Sequence, residues 1–381
     1  MIEIRCKIEK NMKILLAAGV FYPDVGGPAI HVRKIAERFM EEGFDVQVIS
    51  YGDDNSNTPF NFRVSRVSRK LPKLIQWISY LALVFYHGLD SRVIYALDPT
   101  AAGLPARIVS LILSKSFVIR VGGDPIWERE AEMGRRLLPM DDYYKQGLYA
   151  VDRPILFRII RWVIRGASTM IVYNQNFKDF YNKYFGIDES KIIIIKNPVF
   201  KRESASEYLL EEPVVMFAGR LVSYKNLPRV MRAISNLPKG KLLIVGTGPE
   251  KDNLIDLSRS LSITNRIQFV NSLPQEKLFE LIRSSSVCIA PAFSEFNPNF
   301  ILEALSLGKP VLISKGHGLS VDIPKELEFN PLDETDIESK LAYVLSENNY
   351  PKIIHEINNL ELNRTWDEVT NSHLSIIKKL L

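Results

Sequence analysis

Two acids eight positions apart, Glu295 and Glu303, stand in the segment SEFNPNFILEALSLGKPV. Apolar runs at 287–290 and 310–313 flank them. The spacing puts one carboxylate in the loop after a strand and the other about one turn into the following helix. In α/β proteins that loop lies at the carboxyl edge of a parallel sheet, where ligands bind. Carboxylates there accept strong hydrogen bonds from hydroxyl-rich ligands. Gly219-Arg220 directly follows the apolar run 214–218, and Lys225 comes five residues after the arginine. Two cations on one loop suit a diphosphate, with Arg binding it bidentately and Lys as a point charge. The same spacing also occurs on ordinary charged surfaces, so by itself it decides nothing. Gly246 and Gly248, in Gly-Thr-Gly-Pro after the next apolar run, add a glycine turn at that edge.

Two further loops carry candidate chemistry. The first apolar run leads through Gly19 to Gly26-Gly27-Pro28, and a helical pattern follows. Glycines there let the backbone approach a ligand and expose amides that favour anions; a tight turn without a ligand fits the same residues. The spacing is not G-x-G-x-x-G, and no acid follows the second strand at a distance suited to an NAD ribose, which argues against a dinucleotide oxidoreductase. After the run 117–121 comes Gly122-Gly123-Asp124-Pro125-Ile126-Trp127. Asp124 reads either as a helix N-cap before Pro125 or as a ligand-facing group. His31, a few residues into the first helix, reads as structural.

These loops need a scaffold of alternating strands and helices. Runs at 14–20, 46–50, 62–67, 93–97, 117–121 and 170–173 read as strands, with helical patterns such as 30–42 and 101–113 between them. The scheme repeats at 214–218, 242–245, 267–270, 287–290 and 311–313, with helices such as 227–235 and 278–284. Near-continuous apolar strands separated by helices predict parallel sheets covered on both faces. The expected architecture is two Rossmann-like domains with a cleft between them, joined by a polar linker at 201–212 and ending in a helix from Trp366.

Bulk properties agree. A chain of 381 residues with 46% hydrophobic and 24% charged residues is long enough for two cores and ordinary for a globular protein. Its two cysteines, Cys6 and Cys288, are too few for a disulfide framework. No signal-peptide pattern is visible. The apolar stretch 74–89 contains Gln76, Ser79 and His87, and is too short and polar for a membrane span. Residues 1–11 read as a dispensable tail before the first strand. Residues 1–200 carry 28 Lys+Arg against 21 Asp+Glu, net +7, and the rest carries 21 against 23, net −2. The basic half suggests an anionic partner or simply a solvated face. The stretch 63–89, basic then apolar, can lie on anionic lipid or act as an ordinary domain helix. The same holds for RPILFRIIRWVIRG, with Arg158, Arg161 and Arg165 at helical spacing. No nucleic-acid reader module is recognisable.

Taken together, FAGRLVSYKN, LIVGTGPEKDNL, RIQFVNSLPQEKLFEL and SEFNPNFILEALSLGKPV, with a looser match in FYPDVGGPAIHV, resemble the retaining nucleotide-sugar glycosyltransferases of family 4. The resemblance spans nearly the whole chain. It implies the GT-B fold: an N-terminal acceptor-side domain over 1–200, a C-terminal donor domain over 201–365, and a helix at 366–381 returning to the first domain. Arg220 and Lys225 would neutralise the departing diphosphate. Glu295 would contact the donor sugar, and Glu303 the ribose. Backbone around Val270 and Leu273 would hold the base. Gly26 and Gly27 would lie near the phosphate and acceptor, with Gly246, Gly248 and Asn299 also counted with the donor. Asp124 would stabilise the acceptor side.

The implied reaction moves a hexose from a UDP- or GDP-sugar to a glycan or lipid-linked acceptor with retention, in polysaccharide or glycoconjugate biosynthesis. No cofactor and no metal are expected, since no Asp-x-Asp pair occurs and the Arg/Lys pair would take the cation's place. A cytoplasmic protein, peripheral at the inner face of an anionic membrane, would fit. The rival readings are a UDP-sugar 2-epimerase-like enzyme, a phosphorylase, or a non-catalytic nucleotide-sugar-binding subunit. The chain departs from the family twice: Phe296-Asn297-Pro298-Asn299 replaces the common Gly-Phe-Gly, and Gly316-His317-Gly318 replaces a Gly-Gly…Glu turn.

Overall fold

The computed structural model describes residues 12–24, 27–53, 60–202 and 212–381. The 1–11 tail, Cys6, Gly26 and most of the 201–212 linker therefore lie outside the described residues. The elements run in chain order as β1 (Lys13–Ala17), α1 (Gly27–Glu41), β2 (Asp45–Tyr51), β3 (Arg63–Val67), α2 (Lys73–Gly88), β4 (Ser91–Ala96), α3 (Gly103–Ile112) and β5 (Ser116–Arg120). Then come α4 (Pro125–Glu132), α5 (Met140–Lys145), α6 (Tyr149–Asp152), α7 (Pro154–Arg165), β6 (Thr169–Val172), α8 (Gln175–Phe180), β7 (Ile192–Ile194) and β8 (Val199–Phe200). The second half holds β9 (Val214–Ala218), α9 (Leu227–Asn236), β10 (Lys241–Val245), α10 (Lys251–Ser260), β11 (Ile267–Val270), α11 (Gln275–Ser284), β12 (Val287–Ala290), α12 (Asn299–Ser306) and β13 (Val311–Ser314). It ends with β14 (Glu328–Phe329), α13 (Glu334–Val344), α14 (Tyr350–Asn358), β15 (Asn363–Arg364) and α15 (Trp366–Leu380).

The chain forms two compact units. The first takes in the chain up to Asp124, Arg153–Pro198 and Thr365–Leu381; the second takes in Pro125–Asp152 and Val199–Arg364. Residues 125–152, placed by the sequence in the first half, group with the second because α4 packs there: Trp127 is fully buried edge-on to Tyr224 and Phe296.

In the first unit the sheet is parallel throughout, in the order β3-β2-β1-β4-β5-β6-β7. All five residues of β1 are buried, as expected for a strand covered on both faces. Each fully buried aliphatic side chain of this kind contributes about 1.5–3 kcal/mol. Lys13 is tolerated in β1 because its ammonium reaches Asp90 at 2.8 Å. Helix α1 buries Ala29, Val32, Ile35, Ala36 and Phe39 at helical spacing. The terminal helix α15 returns to this unit and packs on α1. A capping box starts it, Thr365 receiving the Glu368 amide while the Glu368 carboxylate receives that of Thr365. Trp366 then meets His31 edge-on at 4.8 Å, so both residues serve packing, as the position of His31 in the sequence suggested.

The second sheet repeats the order, β11-β10-β9-β12-β13-β14, again all parallel. In each sheet the direction of strand addition reverses beside the first strand, between β1 and β4 and between β9 and β12. Ligands of open α/β sheets bind at that switch point. Strands β7, β8, β14 and β15 escaped the sequence reading; with two or three residues each, they are set by neighbouring strands rather than by periodicity. Among the described residues no helix is long and apolar enough to cross a membrane.

Candidate active site

The second unit's switch point is built by backbone before any side chain acts. Gly219 N–H donates to Val245 O at 3.0 Å, and Leu221 N–H to Thr247 O at 2.9 Å. These bonds press the loop after β9 onto the loop after β10. A Cβ on Gly246, whose φ is +146°, would sit 1.9 Å from Gly219 O, and one on Gly248 would sit 2.2 Å from Leu221 O. Glycine at both positions is thus required by loop-on-loop contact. Asn226 takes a left-handed φ of +57°, and its amide donates to Pro291 O at 3.0 Å and Pro331 O at 2.8 Å. Phe293 N–H donates to Tyr224 O at 3.0 Å, which joins the loops after β9 and β12.

Into this frame project the charged groups. Lys225 closes a 3₁₀ turn (Ser223–Lys225), and its Nζ lies 2.7 Å from Glu295 Oε1. Their side chains are 15% and 8% exposed, so water screens the pair little. Burial pulls the Lys225 pKa down, but the Glu295 carboxylate with Tyr224 and Glu128 outweighs it and holds the value above that of an ordinary lysine. Lys225 is therefore a fixed cation at neutral pH. Arg220 is paired with the Glu132 carboxylate of α4 and lies 3.5 Å from the Tyr224 hydroxyl. Ser223 Oγ donates to Glu250 Oε1 at 2.7 Å. Ser294, beside Glu295, is held from the other side, its Oγ accepting Met140 N–H at 2.8 Å.

Glu303 lies one turn into α12, as its spacing predicted, and accepts from Gln275 Nε2 at 2.9 Å. Burial raises its pKa, opposed by the Gln275 hydrogen bond and the Arg202 charge. Between the two acids, Asn297 adopts φ +58° and accepts Ser320 N–H at 3.0 Å. Its Nδ2 is buried without a hydrogen-bond partner among the described residues. His317, in the altered glycine turn, accepts Leu319 N–H on Nδ1 at 2.9 Å and holds Nε2 3.6 Å from Glu328.

Arg220, Lys225, Glu295, Gly246 and Gly248 are thus gathered at one sheet edge. Val270 O accepts Gly246 N–H at 2.9 Å, and Leu273 packs against the core just beyond β11. Asn299 opens α12 on its exposed side. Gly27 opens α1 in the first unit. Asp124, also in the first unit, is fully buried immediately before α4. Sequence reading missed Glu132, Tyr224 and Gln275. Only Gln275 had a sequence signal, an amide at the start of α11 in the stretch after the strand expected to face the base.

Comparison with known proteins fits this geometry. The family "Glycosyl transferases group 1" matches residues 200–359, and "Glycosyltransferase Family 4" matches residues 25–200. This chain is a family 4-like glycosyltransferase of the GT-B fold. A glycosyltransferase of Methanocaldococcus jannaschii is 24% identical to it over 405 residues, covering 96% of this chain and 98% of that protein. Among solved structures, sucrose-phosphate synthase from Thermosynechococcus elongatus superposes with a TM-score of 0.75 at 17% identity, covering 97% and 99% of the two chains. Anabaena HepE in complex with UDP-glucose superposes with a TM-score of 0.74 at 16% identity, covering 97% and 100%. Within this glycosyltransferase the two family matches meet at residue 200, where the chain passes from the first unit to the second.

Proposed function

We propose that this glycosyltransferase moves a hexose from a UDP- or GDP-sugar to a glycan or lipid-linked acceptor with retention of anomeric configuration. The observation that carries the reading is the buried Lys225–Glu295 pair beside Arg220 at the second switch point. Arg220 and Lys225 stabilise the diphosphate as its charge grows in the transition state. Glu295 accepts hydrogen bonds from the donor sugar, and the Lys225 ammonium at 2.7 Å keeps it aimed. Glu303, steered by Gln275, accepts from the ribose hydroxyls, while backbone near Val270 and Leu273 faces the base. Gly246 and Gly248 shape the loops around the diphosphate, and Asn299 offers an amide at the start of α12. In the first unit, Gly27 lies near the donor phosphate and the acceptor, and Asp124 stabilises the acceptor side. Attack on the same face as the leaving diphosphate gives retention. The donor set needs no cofactor and no metal, because the two cations balance the diphosphate charge. The protein acts at the inner face of an anionic membrane, peripherally.

HepE, of the same fold, is described in complex with UDP-glucose, so UDP-sugars are the first donors to test. A donor panel identifies the substrate, and Glu295→Ala is then assayed with it. The variant should fold as the wild type does and lose transfer by at least about 100-fold. Turnover at the wild-type rate would remove Glu295 from the site. Conversion of a UDP-sugar without any acceptor would favour an epimerase instead.

A further inference from the structure

The first unit carries a second charged site, away from its own switch point. Helix α7 places Arg158, Arg161 and Arg165 on one face at i, i+3 and i+7. Arg107 of α3 meets that face, its guanidinium 5.3 Å from the Trp162 ring. These four arginines, with Trp162 and Gly166, line an open cavity of about 410 Å³. A Cβ at Gly166 would fall 2.0 Å from Arg107 Nε, so the glycine leaves the room in which Arg107 lies across the end of α7.

The charge in this cavity is uncompensated. Arg161 Nε donates to Phe185 O at 3.0 Å, and Arg107 Nε is buried without a partner. Among the described residues none of the four forms an ion pair. Four like charges around one depression repel each other, and an anion between them turns that repulsion into attraction. Planar guanidinium forks suit the oxygens of a phosphate in particular. The same two helices also carry apolar side chains that face water: Ile155 and Trp162 of α7 are 71% and 42% exposed, and Ile112 and Leu111 of α3 62% and 57%. Arginine interleaved with exposed Trp and Ile on one helix face is the pattern of a surface that lies in a lipid interface, with cations at the headgroups and apolar tips just below.

We propose that the Arg107/Arg158/Arg161/Arg165 cavity binds the phosphate of an anionic lipid headgroup and docks this face of the first unit on a membrane. The proposal deepens the peripheral-membrane reading above and is independent of the transfer chemistry assigned to the second unit.

The test is co-sedimentation of the full chain with phosphatidylcholine vesicles, with and without phosphatidylglycerol. The wild type is compared with Arg158→Gln/Arg165→Gln and with Lys191→Gln/Lys196→Gln, an equal charge loss at exposed positions of the same unit. The wild type should sediment only with phosphatidylglycerol present, and less as salt rises. The arginine variant should lose about 30-fold in partitioning, at about 1 kcal/mol per basic residue near the surface. The lysine variant should stay within about threefold. Equal loss in both variants would replace the site with diffuse charge and overturn it. Stabilisation by glycerol 3-phosphate without vesicle binding would overturn the lipid assignment, and absence of both would overturn the proposal entirely. Transfer to a soluble acceptor should be unchanged in both variants, so failure here leaves the glycosyltransferase reading standing, and the reverse.

Discussion

The two units share one strand order yet treat the carboxylate at their switch points in opposite ways. In the first, Asp98 follows β4 and accepts backbone N–H groups from Gly19 at 3.1 Å, Thr100 at 2.9 Å and Ala102 at 3.1 Å. In the second, Glu295 follows β12 and faces the ammonium of Lys225 at 2.7 Å. Asp98 is satisfied by backbone N–H groups of its own loop and of the loop after β1, and ties the two loops together. Glu295 is satisfied by a side chain that can share it with a ligand, and under the proposed function the cations beside it take the donor diphosphate. The comparison teaches that the topology supplies the location while loop side chains supply the chemistry.

The sharpest way to break this contrast is to remove one charge of the buried pair. Lys225→Met leaves the Glu295 carboxyl buried without its cation, and breaking such a pair costs about 3–5 kcal/mol. We expect loss of transfer by about 100- to 1,000-fold together with a lower Tm, measured by donor turnover and calorimetry. Wild-type activity in this variant would make the pair a surface ornament. The matched change in the first unit, Asp98→Ala, removes acceptors from at least three backbone N–H groups. It should cost about 2–4 kcal/mol by denaturant unfolding, with KM for the donor unchanged. A raised donor KM would mean that Asp98 serves the ligand after all.

Gly246→Ala tests the frame between these extremes. Its Cβ collides with Gly219 O, so a loss of about 1–3 kcal/mol is expected, with Arg220 displaced and donor KM raised. Glu303→Gln is the mildest. Its folded pKa is raised mainly by burial, so its stabilising contribution is present below the ordinary glutamate value and lost as pH rises through the folded value. At neutral pH the neutral amide should therefore raise Tm while donor KM rises about tenfold. In the wild type, donor KM should rise as pH falls through that same raised value. A Tm that falls on substitution would contradict the partly buried, costly carboxylate.

Much of this was legible in the sequence because it rests on local periodicity. Apolar runs marked the longer strands, and the Glu295/Glu303 spacing placed one acid in a loop and one on α12, as found. The meaning of Gly246 and Gly248 was less legible: they read as ligand turns, whereas the contact with Gly219 and Leu221 depends on how two loops meet in space. The partner Glu132 was invisible for the same reason, and Gln275 showed only its place at the start of α11, since pairs separated by 88 and 28 residues leave no periodic trace. Trp127, buried against Tyr224 and Phe296, is the anchor of α4, a contact between distant parts of the chain that its own loop does not encode.

The central claim is that Arg220 and Lys225 form a diphosphate site at the second switch point. Calorimetric titration of UDP and UMP, and of GDP and GMP, into the wild type and Arg220→Gln/Lys225→Gln tests it directly. The wild type should bind the diphosphate of one base well above its monophosphate. The double variant should lose at least about 100-fold in diphosphate affinity, at about 1.5–3 kcal/mol for each charged hydrogen bond, and with it that preference. A double variant that still prefers the diphosphate as strongly as the wild type would contradict the account.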